Sequence, residues 1–202
     1  MTCSLGLLIL LSGCGKRMST ANSQEAAQQA SNRSSAPRNE RQKAEREIRL
    51  LPPSAFPELP VEVIEQLQHG GCTVPQASGI PERHNVIKGQ FARRGQTNWA
   101  VLCSKEGKSC ILIFSEKPNG CPNELACEED ESFIQMIGDG RMGYSRKINA
   151  VSSNYILEHY KRYAGPVPPR LDHQGIDDGV AGKSSHIHYC YQGKWLKLTG
   201  AD

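Results

Sequence analysis

His186 and His188 lie two apart on an expected strand, so both point to one face, as paired metal ligands often do. Asp172, His173, Asp177 and Asp178 stand eight to fourteen residues upstream of His186 and carry the donor types that would close such a site. Asp172-His173 with Ser184 or Ser185 also has the composition of a hydrolytic triad, but no G-x-S-x-G elbow surrounds either serine. Alternation points elsewhere: Ile187, Tyr189 and Tyr191 are expected on the core face, which leaves His186 and His188 on the solvent side. Catalysis by Asp172, His173, His186 and His188 is therefore the alternative expectation, and no metal is assigned. The chain holds no P-loop, dinucleotide fingerprint or H-E-x-x-H, so no cofactor is expected. Gly138-Asp139-Gly140 reads as a tight turn, because no helical pattern follows it. Glu128, Glu129, Asp130 and Glu131 read as a solvated acidic loop.

Charge and hydropathy exclude two broad classes. The net charge of +3 over 202 residues is too small to indicate nucleic acid as a partner. It is also unevenly placed: residues 15–49 carry eight Lys/Arg against four Glu, and residues 50–202 carry sixteen against seventeen acids. No apolar run reaches the roughly 18–20 residues of a spanning helix, which argues against an integral membrane protein.

The apolar run Leu5 to Leu11 leads into Leu11-Ser12-Gly13-Cys14, the layout of a secretory h-region followed by small residues. Those last four residues resemble the lipobox of bacterial lipoproteins. The resemblance implies a signal peptide over 1–13 and acylation of Cys14, whose thiol forms a thioether to diacylglycerol. Gly15, rather than Asp, follows Cys14, which resembles default sorting to the outer membrane, with the chain facing the periplasm. Residues 14–49 form the expected lipidated, disordered tether, because large apolar side chains are nearly missing before Ile48. A short helix is expected within it, from Asn39 to Leu51, stopped by Pro52-Pro53.

Residues 50–202 form one expected domain. Pro60, then Val61, Val63, Ile64 and Leu67, then Gly70-Gly71, predicts a helix with Pro first and Gly last. A second helix is predicted over Ser153 to Tyr163, capped by Ser152 or Ser153, with Ile156, Leu157, Tyr160 and Tyr163 as its apolar face. Strands are predicted at Asn85–Lys88, Asn98–Cys103, Cys110–Phe114, Phe133–Ile137, His186–Tyr191 and Trp195–Leu198. The expected class is α+β: mostly antiparallel β-hairpins with two or three short helices, braced by disulfides.

Of eight cysteines, Cys3 and Cys14 belong to the leader and its lipid site, leaving Cys72, Cys103, Cys110, Cys121, Cys127 and Cys190. An even number beyond an inner membrane, with no C-x-x-C, points to disulfides rather than zinc. Cys121 and Cys127 flank a short loop and are the local pair. A two-residue turn at Glu106-Gly107 sets Cys103 opposite Cys110 at about 5.5 Å, near enough for a bridge. That bridge would leave only Cys190 for Cys72, so the expected set is Cys72–Cys103, Cys110–Cys190 and Cys121–Cys127.

An internal repeat lays Gly95–Cys103 on Gly182–Cys190, each followed by a Gly-Lys turn, Gly107-Lys108 or Gly193-Lys194. Two hairpins of one design are implied. Gly89-Gln90-Phe91 through Leu102 resembles one blade of the FG-GAP or VCBS repeats of extracellular β-propellers, whose loop acids bind Ca²⁺. Here the matching positions are Gln90, Ala92, Arg94, Gln96 and Asn98, without a carboxylate, so no calcium is expected. From Gly71-Cys72-Thr73-Val74-Pro75-Gln76 to Gly200-Ala201-Asp202 the chain resembles a group of uncharacterised bacterial secreted proteins, a resemblance that carries no activity. The functional expectation is a non-enzymatic cell-envelope lipoprotein. It would be held on the membrane by its lipid and would bind an envelope protein or a cell-wall component.

Overall fold

The structure, a computed structural model, describes residues 38–118, 120–180 and 183–200. The signal segment, Cys14 and the first part of the tether lie outside the described residues. Helix α1 runs over residues 38–46, and the chain then pairs as β1, Arg49–Leu51, with β2, Val74–Gln76. The helix expected to reach Leu51 thus ends earlier, because Leu50 and Leu51 take extended partners in Pro75 and Val74. Ala44 of α1 is buried with Ile134 and Tyr144, so residues 38–51 contribute to the folded unit.

Two four-stranded antiparallel sheets carry the fold. The first orders β3 (Val86–Gly89), β4 (Asn98–Lys105), β5 (Lys108–Ser115) and β6 (Glu124–Glu129). The second orders β9 (Arg146–Val151), β10 (Gly175–Val180), β11 (Ser185–Tyr191) and β12 (Lys194–Thr199) from one edge to the other. Between them in sequence, β7 (Ile134–Met136) and β8 (Met142–Tyr144) make a small hairpin, closed by the expected tight turn at Gly138-Asp139-Gly140. The strands expected around residues 85, 98, 110, 133, 186 and 195 all form, within a few residues of the expected ends. Strands β1, β2, β6, β8, β9 and β10 were not expected. The acidic run from Glu128 in fact finishes β6 and makes a 3-10 turn at Asp130–Phe133, where Asp130 is buried and accepts from Ser104 Oγ at 2.5 Å.

Strand alternation sorts the side chains into layers. Ala100, Leu102, Ile111, Ile113 and Leu125 of the first sheet meet Ile148 and Ile176 of the second in one buried cluster. The opposite face of the first sheet puts Trp99, Val101, Cys103, Leu112 and Phe114 against α2 (Val61–His69), which buries Val63 and Leu67. The opposite face of the second sheet puts Ile187, Tyr189 and Leu198 against α3 (Ser153–Tyr163) and its Ile156. The order is therefore helix, sheet, sheet, helix. A helix ahead of three consecutive antiparallel strands occurs twice, as α2 with β3–β5, where the short β2 intervenes, and as α3 with β10–β12. The two hairpin turns agree in detail: Glu106-Gly107 has φ values of 53° and 81°, and Gln192-Gly193 has 48° and 79°. Both central residues at positive φ define the tight turn that matches strand twist, and glycine takes the second position without strain.

All six expected cysteines are paired, with two of the three expected partnerships corrected. Cys72–Cys103 forms as expected, but Cys110 bonds Cys127 and Cys121 bonds Cys190. The reason is β6. Because residues 124–129 are a strand beside β5, Cys127 is carried over Cys110 and away from Cys121. Cys103 and Cys110 do sit opposite one another in the register, each bridged outward to a different partner.

Candidate functional site

The expected Asp–His cluster is split by β10. Successive residues of a strand face opposite sides, so Asp177 points to the α3 side and Asp178 points between the sheets. Asp178 meets Arg146, which is completely buried. Arg146 Nε and Nη2 donate to the two carboxylate oxygens of Asp178 at 2.9 and 2.8 Å. Nη1 donates to the carbonyl and hydroxyl oxygens of Ser109 at 2.9 Å, and Nη2 also donates to the Ala126 carbonyl. All five N–H donors of the guanidinium are used, and the group lies 4.4 Å from the centre of the Phe133 ring. Since Ser109 and Ala126 belong to the first sheet, this side chain ties the sheets together. Asn85 does the same at the β3–β9 edge, donating to the Arg146 carbonyl at 3.2 Å and accepting from Ile148 N at 2.9 Å.

Burial alone would push Asp178 up, but the adjacent His188 and the hydrogen bonds and charge of Arg146 hold its carboxyl below the usual range. His188 Nε2 is 3.8 Å from Asp178, an ion-pair distance too long for a hydrogen bond. His188 is buried, which corrects the expectation that it faces solvent; His186 shares its face and is half-buried. Both faces of β11 are covered at this point, so Ile187 and Tyr189 are buried under α3 while His188 is buried on the opposite face. Asp172 is exposed, and His173 is buried with Nδ1 at 2.9 Å from the Gln174 carbonyl. Among the described residues, the donor atoms of Asp172, His173, His186 and His188 do not converge as a ligand set. Cys110, Cys127 and Glu124 do lie within 4.8 Å of one another, but both sulfurs are in a disulfide and offer no thiolate.

The open polar site is on the other side of the same strand. A cavity of about 340 Å³ lies between α3 and the uncovered end of the second sheet. Its floor is built from register partners: Lys147, Gly179 and Ser185 in one row, with Asn149 and Asp177 in the next. Gly179 adds no side chain to that floor and so leaves it open. The wall is a helical stripe at i, i+4 and i+8, Tyr155, His159 and Tyr163, with His159 ring centres 6.3 and 4.8 Å from those of the tyrosines. Lys183, Ser184 and Gly200 complete the rim. Helix α3 is set in place by the Ser152 cap, whose Oγ accepts from Tyr155 N at 3.1 Å, and by Gly175, where a Cβ would meet Ile156 Cδ1 at 3.0 Å. The expected face of α3 forms in part: Ile156 is buried with Tyr160 packed beside it, but His159 is buried as well, while Leu157 and Tyr163 are each 41% exposed.

Two buried atoms of these lining residues lack hydrogen-bond partners: His159 Nε2 and Asp177 Oδ1. Burial raises the Asp177 carboxyl above its ordinary value, against the opposing pull of Ser185 and Asn149. An unsatisfied buried polar atom costs about 1–3 kcal/mol, so a ligand group that pairs with both recovers that cost. A larger cavity of about 510 Å³ lies beside the Cys72–Cys103 and Cys110–Cys127 bridges, lined by Lys105, Lys108, Glu124 and Glu129. It offers no comparable orphaned atom among the described residues, so the α3 cavity is the better candidate. Sequence reasoning named Asp177 but missed Lys147, Asn149 and His159. The visible signal was the Tyr155, His159, Tyr163 stripe.

The Gln90–Asn98 loop satisfies itself. Asn98 Oδ1 accepts from Phe91 N and Ala92 N at 3.0 and 3.3 Å, and Gln90 Oε1 accepts from Gly95 N at 2.8 Å. Compared with known proteins, the chain matches no protein-family model, no curated protein and no solved structure.

Proposed function

We propose that this chain is a non-enzymatic cell-envelope lipoprotein, a module tethered to the outer membrane through Cys14 and binding its partner through the α3 cavity. The observation that carries the reading is the division of the cysteines. Six are consumed in three disulfides, which suits an oxidising compartment, and of the remaining two Cys14 ends an apolar run with small neighbours. A binding role rather than catalysis is supported by the use of Asp178 and Arg146 as a buried tie between sheets. The polar stretch over 15–37 would then act as spacer, lifting the folded module off the lipid surface. No helix among the described residues is long and apolar enough to cross a membrane.

The test is fractionation of Cys14→Ser. The wild-type chain is expected in the membrane pellet after a carbonate wash, and the cleaved variant in the soluble fraction. Persistence of the cleaved variant in the washed pellet would overturn the anchor. Capture of one envelope component by the wild-type chain, lost in a variant altered at Asp177, would support binding through the cavity.

A further inference from the structure

Resting on that reading of the α3 cavity as a binding site, we infer that its ligand is a single sugar ring bearing a carboxylate. The cavity of about 340 Å³ is near the lower end of small-molecule sites and suits one ring rather than an extended chain. His159, at 6% exposure, and Asp177 both line the cavity, and His159 Nε2 and Asp177 Oδ1 are buried without a hydrogen-bond partner. An imidazole N–H wants an acceptor and a carboxylate wants a donor. A hydroxyl is both at once, and neighbouring hydroxyls on a ring can serve the two groups together.

The remaining walls narrow the class. Tyr155 and Tyr163 are 47% and 41% exposed and flank His159 along one helical stripe. Their rings give an apolar surface against which the C–H face of a sugar packs, while their hydroxyls stay wet. Lys147 and Lys183 also line the cavity, and among the described residues neither has a carboxylate within salt-bridge distance. Asp177 is the one acidic residue of the lining, its carboxyl raised by burial, and two lysines stand against it, so a ligand anion has cations to meet. A neutral sugar would leave the lysines unused, and a simple carboxylate would leave Asp177, His159 and the tyrosine faces unused.

The experiment titrates the full chain and follows the His159 ring signal by NMR, assigned with His159→Gln. The probes are N-acetylmuramic acid, glucuronic acid, N-acetylglucosamine and acetate. Muramic acid comes from the cell wall and uronic acids from envelope polysaccharide, so those two arms separate the sources. At least one acidic sugar is expected to move the His159 signal and to bind tenfold or more tightly than either N-acetylglucosamine or acetate. Lys147→Ala with Lys183→Ala should erase the preference over the neutral sugar, and Asp177→Asn should weaken both sugars. Equal binding of neutral and acidic sugars, or of acetate and acidic sugars, would overturn the inference. So would an unmoved His159 signal with every probe; if Asp177-dependent capture of an envelope component persisted in that case, the binding reading would stand while the ligand class fell.

Discussion

The two helix-plus-three-strand halves cover their sheets differently. In the first, α2 lies over Val101, Cys103, Trp99 and Leu112, and the surface between helix and sheet is apolar and closed by the Cys72–Cys103 bridge. In the second, α3 covers Ile187, Tyr189 and Leu198, but the sheet continues past it into Lys147, Asn149, Asp177 and Ser185. A helix laid over a sheet thus yields an apolar interface in the first half and an open, polar one in the second. The open one has the chemistry, because incomplete cover leaves polar groups buried by their surroundings yet short of partners. Asp177 and Asp178 condense the contrast into two adjacent residues, one at the cavity and one in the tie between sheets.

The largest expected effect divides that pair. Asp178→Asn leaves the Arg146 guanidinium buried without its counter-charge, so a loss of about 3–5 kcal/mol is expected in urea melts near neutral pH. Asp177→Asn should cost little or raise stability, since burial already disfavours its charge. The pH dependence has opposite signs. Asp178 is held below its unfolded value, so its contribution is present above about pH 4 and lost as pH falls through the folded value. Asp177 is raised, so its contribution declines as pH rises from the unfolded value through the folded one. Melts between about pH 3 and pH 7 should show the acid-side rise missing in the first variant and the later decline missing in the second. Equal losses in both variants would break the division.

The disulfides sharpen the comparison next. Cys121–Cys190 spans 69 residues and joins the two halves, whereas Cys110–Cys127 spans 17 within the first sheet. Chain entropy assigns about 4 kcal/mol to the longer closure and about 1 kcal/mol less to the shorter. Paired Ser variants, compared by thermal melts after peptide mapping without reduction, should follow that order.

A smaller effect compares the hairpins. Gly107→Ala meets nothing within 4 Å and pays only for its positive φ, about 1–2 kcal/mol. Gly193→Ala pays for a similar φ and also brings a Cβ to 3.1 Å from the Gly120 carbonyl, so it should be the more destabilised of the two. The smallest expected effect is none: added Ca²⁺ or chelator should leave the melting temperature unchanged, because the Gln90–Asn98 loop has spent its oxygens on its own amides. A clear calcium-dependent rise would reopen the resemblance to calcium-binding blades.

Sequence by itself determined the elements whose pattern is simple. Val63 and Leu67 at helical spacing, Asn98–Cys103 as an apolar strand, the matched Gly-Lys turns and the even set of six cysteines all carry local signals, and each was legible without coordinates. Tertiary structure alone decided β6, β9 and β10. Their sequences, ELACEE, RKINAV and GIDDGV, show no clean alternation, because in β9 and β10 polar Arg146 and Asp178 serve on the face between the sheets while Lys147, Asn149 and Asp177 line the cavity on the other. Arg146 is buried only because Asp178, Ser109 and Ala126 arrive from three other strands to satisfy it. Cysteine partners followed the same rule, since a strand at 124–129 had to exist before Cys127 could reach Cys110. The α3 cavity is the clearest case: its residues come from a helix, three strands and the turns beside them, and only their convergence in the fold makes one site.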